Sequence, residues 1–427
     1  MIAAERRSGL RQDEVIARFA PELDNMRAAF GWCFGPVGSP SLGRRLAAGS
    51  LFIWFGLSLF SECQAWMKRA RITIPLEEQG TEDAMAIHAA ARSTEMFTRG
   101  ASAASYAGWL SGVGYEVTPA GDLERAMQLV GPWTYNVRFP DYAQATELAR
   151  RHESLVLPHE DESAIVTSCW MAGLTYQRKG EPRPAREHLE AFLARETPLL
   201  RRDWINLTGY DRHSSSKAIL ALALWTLGET QASSVACEIG VAQARDIGFD
   251  LPICEALLWS SFARYLGGAP HALVEAQASE MQERAERHTF NSHSALGLAL
   301  RGLCAGARGE VDMAIDWLRD ALAQLQRSHY GPFDPLIVGE LADLLAQRGE
   351  HAAGLSEIRE FERRHLNKVG WCMSELRRRH GLLLVRHGTE QQRSDGLALI
   401  SQTRAHALDR GEAAWAQRCA SSLADLN

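Results

Sequence analysis

Residues 296–325 read LGLALRGLCAGARGEVDMAIDWLRDALAQL. Leu296, Leu300 and Leu303 precede the turn Ala307-Arg308-Gly309-Glu310, and Val311, Ala314, Ile315, Leu318, Leu322 and Leu325 follow it. Both series step by three and four, the spacing that places side chains on one stripe of an α-helix. Gly309 stands where the chain must reverse, and glycine takes a left-handed helix end at no steric cost. The stretch therefore predicts a helical hairpin.

Similar punctuation recurs in both directions. Gly100, Pro140-Asp141, Gly180, Gly228, Gly267, Gly309, Gly349 and Gly388 follow one another at intervals close to forty residues, and a less clear turn near Gly56–Ser58 fits the same step. A central turn between two helical patterns, repeated at that period, marks an all-α chain built as an α-solenoid. No such unit buries its apolar face alone, so each leans on its neighbours. The longest interval covers Glu196 to Ser216, which reads as a loop-like insert carrying Pro198 and Tyr210-Asp211-Arg212-His213-Ser214. Gly100 to Val117, with glycine at 100, 108, 112 and 114, is expected to be irregular. At the front, Val15, Ile16, Phe19, Leu23, Met26, Ala29 and Phe30 form a helical stripe with Pro21 opening a new turn, and the breaker-rich Gly35-Pro36-Val37-Gly38-Ser39-Pro40 stops it.

The 427 residues contain 46% hydrophobic and 23% charged side chains, the balance of a soluble globular protein. A net charge of −6 gives little basis for a nucleic-acid or anionic-membrane surface. Ala47 to Phe60, the most apolar run, is interrupted by Gly49, Ser50, Gly56 and Ser58 and is shorter than the roughly 20 residues that span a bilayer. It reads as a buried helix pair. The eight cysteines are widely spaced within apolar patterns, which fits buried thiols in a reducing cytoplasm better than disulfides or zinc.

Motifs that carry chemistry are missing. There is no GxxxxGK[ST] phosphate loop, no GxGxxG after a strand, no HExxH and no GxSxG. His288 and His293 are read as solvated surface histidines, and most carboxylates as surface partners of arginine at helical spacing. The run Arg377-Arg378-Arg379-His380 falls beside Leu376, Leu382 and Leu383 and reads as the solvated side of an amphipathic helix, in preference to a phosphate contact. Trp109, Trp133, Trp170, Trp225, Trp259, Trp317 and Trp371 lie in or beside helical stripes, where large rings fill the space between stacked helices.

Pro21-Glu22-Leu23-Asp24-Asn25-Met26-Arg27-Ala28-Ala29-Phe30 resembles the ELDNxRAA segment that opens the C-terminal TPR-like repeat arm of bacterial winged-helix/STAND-class NTPase transcriptional regulators. Tyr210-Asp211-Arg212-His213 leading to Ala221-Leu222-Ala223-Leu224-Trp225-Thr226-Leu227-Gly228 is similar to another piece of that arm. Trp371, Glu375-Leu376-Arg377, Gly381-Leu382-Leu383-Leu384, Ala413-Ala414-Trp415 and Ser421-Ser422-Leu423-Ala424 resemble its closing pattern. Neither a winged helix nor a phosphate loop precedes Pro21, so the resemblance is to the arm alone, as a natural split product or a truncated gene.

The expectations are a helical linker or cap over 1–36 and a TPR-like solenoid over 37–427, with a sub-break near 196–214. The resemblance implies a non-enzymatic sensor or scaffold that binds a partner protein, a peptide or a small inducer, in the cytoplasm, with no cofactor, no metal, no direct nucleic acid and no membrane. An all-α enzyme with an unrecognised active site, or a truncated product without independent function, remain the alternatives. Tyr210, Asp211, Arg212 and His213 are the candidate partner surface, because they crowd one polar insert. A capping network for the following helix is the structural alternative for them. Oligomeric state is left open by the sequence.

Overall fold

The computed structural model describes residues 12–100, 121–138, 142–365 and 370–426. Every regular element among the described residues is helical. The first helices are α1 (Gln12–Phe19), α2 (Leu23–Cys33), α3 (Pro40–Gly49), α4 (Leu51–Gly56), α5 (Phe60–Arg71) and α6 (Glu82–Arg99). They are followed by α7 (Asp122–Arg138), α8 (Tyr142–Val156), α9 (Glu162–Lys179), α10 (Pro182–Arg195) and α11 (Pro198–Thr208). The hairpins α12 (Arg212–Thr226) with α13 (Thr230–Ile247), α14 (Asp250–Leu266) with α15 (His271–His288), and α16 (Asn291–Ala307) with α17 (Val311–Arg327) continue the stack. Then come α18 (Asp334–Gln347) with α19 (His351–Arg364), α20 (Met373–His387) with α21 (Glu390–Asp409), and the final α22 (Ala413–Asp425). This is an all-α solenoid of helical hairpins.

The α16–α17 hairpin forms as its stripes require. Leu296, Leu300, Leu303, Ala314, Ile315, Leu318 and Leu325 are all buried, and Gly309 turns the chain at φ 82°. Gly180, Gly228 and Gly349 turn their own hairpins at φ 81°, 86° and 91°. Two turns differ in detail. In the α14–α15 hairpin the left-handed residue is Gly268 and not Gly267, which stays right-handed at φ −77°. Gly388 is extended (φ −87°, ψ 173°), because Thr389 starts α21 at once through a capping box with Gln392. The expected turn at Pro140-Asp141 and the irregular stretch after Gly100 lie outside the described residues.

Residues 196–216 are not a loop. Thr197 accepts a hydrogen bond from the Leu200 N–H and Pro198 takes the first helical position, so α11 occupies most of the supposed insert. Cap residue then proline is a helix-start signal, and it outweighs the polar composition that suggested a loop. The main apolar core runs from Phe19, Met26 and Phe30 through to Trp415 and Ala416, with smaller clusters around Ala126, Ile358 and Ile400. No described helix is long and apolar enough to cross a membrane.

The first helix of each later hairpin is buried on nearly every side. Asp250 through Ala263 of α14 are all buried. A helix wrapped in this way needs partners beyond its own hairpin; α12, α13 and α16 of the neighbouring hairpins pack on α14, and other contacts join distant parts of the chain. Asn291 Nδ2 donates to the Thr98 carbonyl at 2.6 Å, 193 residues away. The Gly331 and Trp371 N–H groups donate to the carbonyls of Arg138 and Arg178, at 3.1 and 3.0 Å. Arg410 Nε reaches the Gly180 carbonyl at 3.2 Å, across 230 residues. The solenoid is wound so tightly that its late hairpins close on its early ones.

Candidate functional site: a cavity at the centre of the winding

Where early and late hairpins meet, side chains fill most of the interior but leave a cavity of about 440 Å³, a volume that suits a small organic ligand. Its rows come from helical steps of four. Ala89, Ser93 and Phe97 line it from α6, Val130, Thr134 and Arg138 from α7, and Trp170, Leu174 and Arg178 from α9. Trp204 and Leu207 of α11, Tyr210, Glu255 of α14 and Tyr330 after α17 complete the wall.

Aromatic rings make much of that wall. Trp133 and Trp170 meet edge to face at 4.8 Å, Trp170 and Trp204 at 5.7 Å, and Phe97 stacks with Tyr210 at 5.8 Å. Two arginines end helical rows inside it. The Arg138 guanidinium lies over Tyr330 at 4.6 Å and Phe97 at 5.6 Å, and that of Arg178 over Trp259 at 3.8 Å. Burial pushes the Arg138 guanidinium down, because the charged form loses water. Burial likewise holds the Tyr210 phenol well above its ordinary range and pushes Tyr330 up to about 12, so both stay protonated hydrogen-bond donors at neutral pH. Burial would raise the Glu255 carboxyl too. The hydrogen bonds from His293 Nε2 (3.1 Å) and Trp259 Nε1 (3.1 Å), with the His293 and Arg138 charges, reverse this and keep it below the usual carboxylate range.

Of the four residues singled out in sequence, Tyr210 alone lines this cavity. Asp211 is fully buried and caps α12, accepting from the N–H groups of His213 (3.2 Å) and Ser214 (3.1 Å) while pairing with Arg201 at 2.7 Å. Arg212 is buried against Trp204 at 4.1 Å and pairs with Glu196 at 2.8 Å, and His213 Nδ1 meets the other Glu196 oxygen at 3.2 Å. The expectation of an exposed polar cluster is therefore corrected: once α11 forms, it folds back over the cluster, which becomes the capping network. Other surface assignments turn inward as well. His293 is buried on Glu255, and His288 bonds Asp250 at 2.8 Å. Arg378 and Arg379 bond the fully buried Glu375 at 2.8 and 2.9 Å, with Arg379 also reaching Glu340 at 2.7 Å, so this run is internal wiring and not a solvated face.

Sequence reasoning missed Arg138, Arg178, Glu255 and Tyr330. Arg178 left a signal: it extends the apolar i, i+4 row Trp170–Leu174 by one step, where another apolar residue would be expected. Glu255 and Tyr330 left none, because their approach depends on the winding. The cysteines are all free, and all but the half-buried Cys169 are buried. Among the described residues no group of three or more His, Cys, Asp or Glu side chains is arranged to hold a metal.

No family model and no curated protein matches this chain. Among solved structures, the apo form of RapI is similar over 90% of this chain and 97% of its own, at 9% identity and TM-score 0.40. A Rap protein complexed with competence and sporulation factor is similar over 71% of this chain and 99% of its own, at 12% identity and TM-score 0.40. A human IFIT1 dimer with m7Gppp-AAAA is similar over 91% and 92%, at 11% identity and TM-score 0.44. The assignment of the fold rests on the hairpins themselves and not on these likenesses.

Proposed function

We propose that the chain is a non-enzymatic sensor or scaffold whose central cavity takes up a small inducer and whose outer helices meet a protein or peptide partner. The observation that carries this reading is the cavity of about 440 Å³, walled by residues from α6 to the segment after α17. A ligand there touches early and late hairpins together, so it favours the winding in which they are apposed. It shifts that equilibrium only by its difference in affinity for the two windings, about 2.7 kcal/mol for a hundredfold difference. The tight centre leaves the outer helices as the surface for a macromolecular partner. In the setting that the ELDNMRAA resemblance implies, the cytoplasmic partner is a STAND-class NTPase or DNA-binding protein, and the chain passes on a signal without performing chemistry.

The test uses the full chain and a fluorescent apolar probe, N-phenyl-1-naphthylamine. Gly131 of α7 lines the cavity, and a Cβ there meets only the Arg92 guanidinium, at 3.9 Å. Gly131→Leu is expected to abolish saturable probe binding, with Ala89→Trp as a second filling variant. Hydrogen exchange of the wild type is expected to slow on binding in α6, α7 and α9 and around Tyr330. Saturable binding that both filling variants retain would overturn the reading.

A further inference from the structure

The polar atoms of the cavity wall are unbalanced. Among its lining residues, four buried side-chain atoms have no hydrogen-bond partner: Arg138 Nε, Arg178 Nε, Trp170 Nε1 and Trp204 Nε1. All four are donors. Arg138 and Arg178 are only 6% and 5% exposed. Their side-chain hydrogen bonds are neutral and long, from Arg138 Nη2 to Ser292 Oγ at 3.4 Å and from Arg178 Nη1 to Gln177 Oε1 at 3.3 Å. Neither forms an ion pair with a carboxylate among the described residues. The carboxylate that does line the cavity, Glu255, is already held by His293 and Trp259. Glu82 lines it too, from the exposed start of α6.

A guanidinium taken out of water with no carboxylate paired directly to it is costly, and so is each unfilled donor. Elsewhere in this protein the buried arginines are matched: Arg212 has Glu196, and Arg379 has Glu375 and Glu340. Arg138 and Arg178, the two buried arginines without such a partner among the described residues, both line this cavity. An anionic group there would accept from the donors and pair with the two guanidinium groups, while the Trp133, Trp170, Trp204 and Phe97 rings cover an apolar body.

We infer that the cavity binds an amphipathic anion, its carboxylate or phosphate held by Arg138 and Arg178 and its apolar body lying on the aromatic wall. This rests on the cavity being a ligand site, and the experiment separates the two claims. Two probes of similar shape are titrated against the full chain: 8-anilinonaphthalene-1-sulfonate, which is anionic, and uncharged N-phenyl-1-naphthylamine. The wild type is expected to bind one equivalent of the anion at least about tenfold more tightly, a difference of about 1.4 kcal/mol. Arg138→Met and Arg178→Met are expected to erase that preference while keeping the neutral probe, and Gly131→Leu to remove both. Displacement by decanoate or by decyl phosphate then identifies the headgroup. Equal affinity for the two probes, with Gly131→Leu removing both, or displacement by decanol as strong as by the two acids, would overturn the anion and leave the ligand site standing. Binding of neither probe would overturn both. The wild-type ratio decides the matter even if the methionine variants fail to fold.

Discussion

The N–H of Trp371 donates to the carbonyl of Arg178 at 3.0 Å, although almost half the chain separates them. Trp371 Nε1 donates to the Pro332 carbonyl (2.8 Å), and Trp415 Nε1 to the Trp371 carbonyl (2.8 Å), tying three successive late turns to the end of α9. On the other side of this seam Arg178 faces the cavity. The same residue thus belongs to the closure of the winding by its backbone and to the candidate site by its side chain. Under the proposed function, a ligand in the cavity would act on the late hairpins through this residue.

Arg410 clamps that closure. Its guanidinium donates to the carbonyls of Lys179 and Gly180 and pairs with the buried Glu412 at 3.1 Å. Arg410→Ala is expected to cost about 2–4 kcal/mol, because charged hydrogen bonds are lost and Glu412 keeps its burial without its partner. Denaturant melts read the loss, and hydrogen exchange should accelerate first in α20 to α22.

Gly309 and Gly180 share a φ near +80° but not their surroundings. A Cβ at Gly309 meets nothing within 4 Å, whereas at Gly180 it meets Arg410 at 2.8 Å, Glu412 at 2.9 Å and the Trp371 backbone at 3.1 Å. Gly309→Ala is expected to cost only the left-handed strain, about 1–2 kcal/mol. Gly180→Ala should cost clearly more. Equal losses in thermal melts would mean that the closure seam contributes nothing.

Arg212 and Glu196 test the capping network. Arg212→Met leaves Glu196 buried, with the His213 ring as its remaining side-chain contact, and is expected to destabilise by about 3–5 kcal/mol. Adding Glu196→Gln should restore a large part. A double variant as unstable as the single one would show that packing on Trp204, and not charge, is what Arg212 supplies.

Asp334 opens α18 with Oδ1 buried and unpartnered, and burial pushes its carboxyl up to about 7. A carboxyl whose folded-state value is raised binds its proton more tightly when folded, so stability is lost as pH rises from about 4 to about 7. The helix N-terminus favours the negative charge and offsets part of this. Asp334→Asn is expected to raise stability at pH 8 by about 1–3 kcal/mol and to change nothing at pH 3.5. A gain at both values in urea melts would rule out titration as the cause.

His152 gives the opposite slope. It is fully buried, its Nδ1 meets Ser168 Oγ at 2.7 Å, its Nε2 has no partner, and burial lowers it to about 4. Its neutral form contributes stability that is complete above about pH 6.5 and lost as pH falls towards 4. His152→Gln should flatten the melting profile across that window by about 2–3 kcal/mol relative to wild type.

The sequence by itself determined the repeating unit. The stripes of Leu296 to Leu325 and the glycines at 180, 228, 309 and 349 are local devices, and a helix face or a left-handed turn depends on residues a few positions apart. Tyr210, too, was found in sequence and does line the cavity, although for a different reason. What only the tertiary structure decided is which polar residues lie inside. His293, Arg379, Asp211 and Glu375 look like surface residues within their own helices. They are buried because a helix from another hairpin lies over them, and that placement is set by the small rotation each hairpin adds to the last. Such rotations accumulate over nearly two hundred residues before Trp371 reaches Arg178, so no local pattern records where the winding closes or that a cavity remains inside it.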